Sequence, residues 1–247
     1  MDSSIGLRSP PTLSTLLDGV AIALFLDFDG TLVELAPGPD AIRPQADLSH
    51  NLQLLNQRLG GRCAIVSGRS IGDIESHIGP LSLAAAGSHG LDIRSADGTP
   101  IGSTPQGLPS VIERELQEFA TEHGVDYEAK PHGGALHYRS NPARGVDADR
   151  FAESLALSHG WAVQKGKCVV ELVPKEANKG SAVFTLMQTG AFAGARPFFI
   201  GDDLTDEAGF IASADLGGAG IVVGDRDSTQ ARFQLPDVSS VHEWLEL

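Results

Sequence analysis

Short apolar runs alternate with segments of helical spacing along most of the chain. Runs at residues 21–27, 63–67 and 197–200 have the length and composition of strands buried on both faces. Leucines or isoleucines at intervals of three or four predict helices near 46–59 and 71–78. Because strands that alternate with helices form parallel, right-handed sheets, this pattern predicts an α/β core.

The pattern changes between residues 101 and 171. Helices predicted near 109–122 and 147–158 are accompanied there by about four short strand-like segments, which indicates a small α+β unit. The α/β pattern then returns with a helix near 179–187 and a buried strand. We therefore expect an N-terminal tail at 1–20, a discontinuous core at 21–100 and 172–247, and an inserted α+β cap at 101–171.

Composition narrows the classes of function. The chain has 247 residues, 41% of them hydrophobic, and a formal net charge of -14. This excess of acidic residues disfavours nucleic acids and anionic membranes as partners, so an anionic substrate needs a locally positive site. Cys63 and Cys168 lie in apolar runs and predict small buried residues rather than a disulfide framework. We see no membrane-spanning run and no leader peptide, and expect a cytoplasmic protein.

Asp27 ends the first apolar run and Asp29 comes two residues later, in the sequence DFDGT at residues 27–31. Ligands bind at the carboxyl ends of strands in open α/β sheets, and extended backbone points Asp27 and Asp29 to the same side. The first carboxylate can attack phosphorus while the second moves protons. Taken alone, the stretch also fits a solvated turn.

Two more segments suit phosphate chemistry. Ser67 ends the second apolar run, and its hydroxyl with the backbone N–H groups around Gly68 can bind phosphate oxygens, although serine is also a routine helix N-cap. Lys179 begins a predicted helix and can neutralise a phosphate, although most single lysines are solvated surface residues.

A further acidic segment follows the strand at 197–200. Asp202 and Asp203 stand together at its end and repel one another unless a cation compensates. Carboxylate oxygens suit Mg²⁺, which predicts a metal site. We interpret the following Asp206 and Glu207 as the acidic start of a helix.

In this order the motifs DxDGT, SGR, KG and GDDxxD resemble those of the haloacid dehalogenase-like phosphatases. The resemblance implies a Rossmann-like parallel-sheet core with an inserted α+β cap, a Mg²⁺ ion and an aspartyl-phosphate intermediate. From about residue 24 to the C-terminal segment the chain is closer still to the bacterial trehalose-6-phosphate phosphatase family. The segments that carry this resemblance are AGSHG at 86–90, HYR at 137–139, GKCVVE at 166–171, NKG at 178–180 and GDDLTDE at 201–207.

The resemblance assigns roles to the acidic residues. Asp27 is expected to be the nucleophile, and Asp29 the general acid and then the general base. Mg²⁺ is expected to be held by Asp27, by the main-chain carbonyl of Asp29 and by Asp202. Asp203 is expected to orient a metal-bound water or Lys179.

The remaining assignments concern the substrate, which the resemblance implies is a phosphorylated disaccharide. Its phosphoryl oxygens are expected to be held by Ser67, Gly68 and Lys179. Glu171 interrupts an apolar run in the cap, which suggests a role in binding hydroxyls. The full set of candidates for sugar recognition is Lys130, His137, Arg139 and Glu171 in the cap, with Arg69 and His89 in the core.

We expect a monomeric enzyme that hydrolyses trehalose 6-phosphate. A hydrolase of sucrose phosphate or mannosylglycerate phosphate and a phosphomutase are the alternatives within the same chemistry. A sugar-binding or regulatory module without phosphoryl transfer is a different class. It is disfavoured by the presence of Asp27, Asp29, Lys179 and Asp202.

Overall fold

The fold is described from a computed structural model of the chain, over residues 7–36, 41–102, 107–166, 168–175 and 177–247. Backbone contacts divide the chain into two units. The first comprises Met1–Ser103 and Asn178–Leu247, and the second comprises Thr104–Ala177.

The helices and strands of the described residues follow one another in this order: α1 (Leu13–Leu17), β1 (Ile22–Leu26), α2 (Leu48–Arg58), β2 (Cys63–Val66), α3 (Ile71–Ile78), β3 (Ala84–Gly87), β4 (Asp92–Arg94), α4 (Ser110–His123), β5 (Asp126–Lys130), β6 (Gly133–His137), α5 (Gly145–His159), β7 (Ala162–Gly166), β8 (Val169–Val173), α6 (Lys179–Met187), β9 (Arg196–Gly201), α7 (Glu207–Asp215), β10 (Ala219–Val223), β11 (Phe233–Leu235) and α8 (Val238–Leu245).

A seven-stranded sheet forms the centre of the first unit, in the order β11-β10-β9-β1-β2-β3-β4. Its neighbouring strands are parallel except for β4, which pairs antiparallel with β3. The chain runs outward from β1 to β2 and β3 on one side, and later returns to β9 on the other. Such a reversal of strand order opens a crevice at the carboxyl ends of the strands involved. The ends of β1 and β9 are therefore where a ligand site is expected.

Strand β1 is apolar throughout because both of its faces are covered. Leu24 and Leu26 belong to the core beneath α1, α2, α3 and α8. Ala23 and Phe25 belong to the opposite core, beneath α6 and α7, where Phe25 packs on Phe192 with ring centroids 5.6 Å apart. Two-sided burial leaves no position for a polar residue until the strand ends.

The second unit has a four-stranded antiparallel sheet in the order β5-β6-β8-β7. Helices α4 and α5 cover one face of it, packing on Leu136, Val170 and Leu172. The side chains that alternate with these point to the opposite face. Strand β8 pairs with β6 as far as Leu172 and with β7 as far as Val173, so the antiparallel sheet continues past residue 171.

The predicted fold class, a parallel α/β core with an inserted α+β unit, is confirmed. Three short elements were not predicted: α1, β4 and β11. Cys63 is buried in β2, and burial raises the pKa of its thiol to about 12. Cys168 is only partly buried, at φ 64° before β8, which differs from the buried position predicted for it. Of the helices described, none combines the length and the apolar character needed to cross a bilayer.

Candidate active site

The loops after β1 and β9 come into direct contact. The Asp27 N–H donates to the Ile200 carbonyl at 2.9 Å, which extends the β1–β9 ladder by one residue. Gly30 has φ +75° and lies so close to Asp202 that a Cβ there would be 2.1 Å from Oδ2 of that carboxylate. The glycine therefore allows the two acidic loops to meet.

Lys179 joins these loops through its ammonium group. It is the first residue of α6, where the side chain of the N-cap Asn178 accepts a hydrogen bond from Ser181 N–H. Only 3% of the Lys179 side chain is exposed. Its Nζ donates to Asp27 Oδ1 and to Asp206 Oδ1, each at 2.7 Å. The predicted phosphate-binding lysine is thus buried between two carboxylates rather than solvated.

Three carboxylates surround one ammonium group in this cluster, so negative charge exceeds positive charge. Asp27, Asp202 and Asp206 have carboxylate oxygens within 4.8 Å of one another. Burial, then the charge of Asp206, raises the pKa of Asp27 well above its usual value. Burial together with Asp206 and Asp203 raises the pKa of Asp202 to about 7. Burial lowers the pKa of Lys179, but the charges of Asp206 and Asp27 outweigh it, so that its net pKa is raised. The ammonium group stays charged, and the carboxylates favour a further cation.

Asp206 has a larger part in the site than the sequence indicated. Its Oδ1 accepts from Lys179, and its Oδ2 accepts from the Asp203 N–H at 2.8 Å. The Asp203 side chain instead accepts from the Leu204 N–H at 2.7 Å and caps the short turn Leu204–Asp206. Of the two roles predicted for Asp203, orienting a metal-bound water or orienting Lys179, the contact with Lys179 is made by Asp206. The spacing of two aspartates three residues apart, as in a capping box, is the signal that could have indicated this.

The oxygen donors of the cluster fit a divalent cation. Oδ1 of Asp202 is buried and has no hydrogen-bond partner among the described residues. Both oxygens of Asp206 are occupied by Lys179 and Asp203, which leaves Asp27 and Asp202 as the better ligands. A site of carboxylate oxygens without nitrogen or sulfur suits Mg²⁺ rather than Zn²⁺.

Asp29 points to a different partner. Arg69 donates to its Oδ2 through Nε at 2.6 Å and to its Oδ1 through Nη2 at 2.8 Å. Through Nη1 the same guanidinium donates to Asp73 Oδ2 at 2.7 Å. Arg69, which we predicted to bind sugar, contacts the predicted general acid, and Asp73 is a participant that the sequence did not reveal.

Ser67 follows β2, and His89 lies just beyond the end of the neighbouring strand β3. Ser67 is buried, and its Oγ accepts from the Arg69 N–H at 3.2 Å, a contact that uses a lone pair and not the hydroxyl hydrogen. The Ser67 carbonyl accepts from the His89 N–H at 2.9 Å. A Cβ on Gly68 would lie 2.6 Å from Cε1 of His89, so the imidazole packs directly on this glycine.

Lys130, His137 and Glu171 share one face of the four-stranded sheet, the face opposite α4 and α5. Glu128 joins two of them: it accepts from Lys130 Nζ at 2.8 Å and lies 2.7 Å from His137 Nε2. The hydrogen bond with His137, with help from Lys130, lowers the pKa of Glu128 to about 2. Arg139 is exposed just beyond the end of β6.

Glu171 is only half-buried, and its neighbours across the strands are Ala135 and Gln164. The apolar residues directly before and after it in the sequence point to the opposite face of the sheet, which the helices cover. Its role in hydroxyl binding stays a prediction, as do the other residue assignments.

The chain has the fold of the haloacid dehalogenase-like hydrolases. A haloacid dehalogenase-like hydrolase from Bacteroides thetaiotaomicron superimposes with a TM-score of 0.65 over 91% of this chain and 98% of that chain, at 15% identity. More particularly, residues 25–239 match the sequence model of trehalose-phosphatase, and the chain belongs to the trehalose-phosphatase family.

Relatives of this family are similar over most of their length. The trehalose-6-phosphate phosphatase of Escherichia coli (strain K12) is 37% identical over 228 residues, which cover 91% of this chain and 85% of the relative. The C-terminal domain of the trehalose-6-phosphate phosphatase from C. albicans has the same fold, with a TM-score of 0.80, 22% identity and coverage of 99% and 100% of the two chains. The resemblance deduced from the motifs is confirmed.

Proposed function

We propose that this chain hydrolyses trehalose 6-phosphate to trehalose and phosphate with Mg²⁺, through an aspartyl-phosphate intermediate. The observation that best supports this proposal is the buried Asp27 carboxylate at the end of β1, which accepts a hydrogen bond from Lys179 Nζ at 2.7 Å. An oriented carboxylate beside a fixed positive charge suits covalent phosphoryl transfer. Membership of the trehalose-phosphatase family supports the reaction, and the name of the Escherichia coli relative supports the substrate.

The proposed reaction has two steps. In the first, an Asp27 oxygen bonds to phosphorus while the bond from phosphorus to the sugar oxygen breaks, and Asp29 gives its proton to that oxygen. In the second, Asp29 takes a proton from water, the water oxygen bonds to phosphorus, and the bond to Asp27 breaks. Phosphate leaves and both aspartates return to their starting states.

Three groups at the strand ends are proposed to bind the phosphoryl oxygens. Lys179 supplies the buried positive charge, and its two carboxylate partners fix its position. Ser67 retains its hydroxyl hydrogen for donation, since its contact with the Arg69 N–H uses the oxygen as acceptor. The N–H of Gly68 is the third donor. Together they stabilise charge on the transferring group.

Asp27, Asp202 and the main-chain carbonyl of Asp29 are proposed to hold Mg²⁺. Because Arg69 pairs with the carboxylate of Asp29, the main-chain carbonyl is the better metal ligand from that residue. Bound there, the ion supplies positive charge that offsets repulsion between an anionic nucleophile and an anionic ester.

The experiment that tests the proposal is phosphate release from a panel of esters by the purified enzyme with Mg²⁺. The panel contains trehalose 6-phosphate, sucrose phosphate, mannosylglycerate phosphate and glucose 6-phosphate. We expect the highest kcat/KM for trehalose 6-phosphate, and free trehalose as the organic product. A higher kcat/KM for another ester would reassign the substrate. An isomeric sugar phosphate as product would identify a mutase.

Metal removal is expected to abolish the activity. Since a cation must balance the carboxylates at the ends of β1 and β9, exhaustive chelation should lower kcat at least about a hundredfold, and added Mg²⁺ should restore it. The same samples serve for circular dichroism, which should show an unchanged fold. Full activity in the chelated enzyme would contradict the proposed site.

Replacing Glu171 with alanine is expected to impair sugar recognition without impairing the chemistry. Loss of a charged acceptor for hydroxyl groups should cost about 1.5–3 kcal/mol, or about ten- to hundredfold in kcat/KM for trehalose 6-phosphate. Hydrolysis of p-nitrophenyl phosphate, which has no sugar hydroxyls, should change little.

The matched control is Glu153→Ala, which removes a carboxylate from the helix-covered side of the same unit, where Glu153 pairs with Lys165 at 2.8 Å. Both activities of this control should be normal. An equal loss of the two activities in Glu171→Ala would show that Glu171 has a structural role.

A further inference from the structure

One guanidinium group holds the proposed general acid and a second carboxylate at the same time. Nε and Nη2 of Arg69 occupy both oxygens of Asp29, while Nη1 donates to Asp73 Oδ2 at 2.7 Å. Only 11% of the Arg69 side chain is exposed, and its guanidinium lies 5.9 Å from the ring centroid of Phe28. Bidentate pairs of this kind fix the geometry of both partners.

Asp73 reaches Arg69 from the first turn of α3. The helix is capped by Ser70, whose Oγ accepts from the Asp73 N–H at 3.1 Å. The carboxylate of Asp73 is directed away from this cap. Its Oδ2 accepts from Arg69, and its Oδ1 lies 3.7 Å from His77 Nε2. The N-cap hydrogen bond therefore fixes the backbone of Asp73, and the carboxylate of Asp73 pairs with Arg69.

We infer that Asp73 is a positioning residue, which keeps Arg69 in place when Asp29 turns toward the leaving oxygen. The inference rests on the proposed function. While the pair is closed, both Asp29 oxygens accept from N–H groups of Arg69. Asp29 must therefore leave the pair and take up a proton from water before it can give one to the sugar oxygen. When Asp29 leaves, the largely buried guanidinium of Arg69 loses one counter-ion. A buried positive charge with no carboxylate beside it is energetically unfavourable. Asp73 remains as a counter-ion and makes the release of Asp29 easier.

The test compares two esters on the same Asp73→Asn sample. The sugar oxygen of trehalose 6-phosphate needs a proton as it leaves, whereas p-nitrophenolate leaves without one. We expect kcat/KM for trehalose 6-phosphate to fall about tenfold, a part of the ~10²–10⁴-fold that general acid catalysis supplies. For p-nitrophenyl phosphate we expect a change within about twofold. Because both values come from one sample, their ratio is independent of the fraction of folded enzyme.

Glu75→Gln is the matched control. Glu75 lies on the same helix and forms an ion pair with Arg94, without a contact to Asp29 among those described. Its replacement should leave the ratio of the two kcat/KM values unchanged, and Asp73→Glu should restore most of the ratio lost in Asp73→Asn.

Two outcomes would overturn the inference: an unchanged ratio in Asp73→Asn, which includes an equal fall for both esters, or the same loss of ratio in Glu75→Gln. Failure of the proposed function has a different signature, since the wild-type enzyme would then release no phosphate from trehalose 6-phosphate. In that case an alkyl phosphate that the wild type does hydrolyse takes its place in the same comparison.

Discussion

Asp27→Asn is expected to lower turnover at least about a thousandfold while the fold remains intact, because a carboxamide does not form the acyl phosphate. Stability should be unchanged or slightly higher. Burial raises the pKa of Asp27, so its ionised form costs folding free energy at neutral pH, and the neutral amide removes that cost. Asp206 still pairs with Lys179 in the variant. Phosphate release and thermal unfolding of one preparation measure both effects.

Asp215→Asn is a suitable control for this variant, since Asp215 is exposed at the end of α7. It makes the same chemical change at the opposite end of α7 from Asp206 and should leave turnover normal. A folded Asp27→Asn protein with wild-type phosphate release would rule out Asp27 as the nucleophile.

Lys179→Met is expected to abolish activity and to destabilise the protein by about 3–5 kcal/mol, the usual effect of removing one partner from a buried ion pair. Asp27 and Asp206 would then face each other without the shared ammonium group. Urea unfolding monitored by circular dichroism measures the change in the free energy of unfolding.

The loss of stability should be larger above the usual pKa range of aspartate carboxyls than within it, because the pKa values of Asp27 and Asp206 are raised in the folded state. Without Lys179 the two buried carboxylates take up protons more readily in the folded state than in the unfolded state. A folded state that binds more protons loses stability as the pH rises. A loss independent of pH would show that packing, and not charge, is what Lys179 contributes.

Lys165→Met provides the comparison for this variant. Lys165 also contacts two carboxylates, Asp149 at 3.0 Å and Glu153 at 2.8 Å, but 48% of its side chain is exposed. Its removal should cost about 0–1 kcal/mol, as for other surface pairs. If Lys165→Met and Lys179→Met destabilise the protein equally, burial does not explain the effect.

The strands, helices and fold class could be predicted from the sequence because they depend on local patterns of apolar and polar residues. The apolar run before Asp27 became a strand because both its faces are covered, and its abrupt end placed the aspartates at the sheet edge. The helices were visible in the spacing of their buried leucines and isoleucines, as at Leu48, Leu52 and Leu55 of α2. The fold class followed from the alternation of these elements.

What the sequence did not predict depends on contacts between distant segments. Strands β4 and β11 have three residues each, too few for a periodic pattern, and exist because a longer strand pairs with them. Asp206 has the sequence context of a helix start, and only the position of Lys179 reveals its second contact. Asp73 was hidden in the same way, since it also lies in the first turn of a helix. The catalytic and sugar-binding assignments stay predictions until the variants are measured.

The position of β1 between β2 and β9 has a consequence for synthesis of the chain. Ile22 pairs with Arg196, and at roughly 5–20 residues per second the ribosome needs roughly 10–35 s to make the sequence between them. During that interval β1 has a bare edge on its β9 side, the kind of edge that pairs with other chains. Strand β2 pairs with the opposite edge of β1, so this edge stays uncovered until β9 has been made. Asp27 is translated long before Lys179, so a chain that stops before residue 179 has its strand-end acid without the ammonium group that balances it.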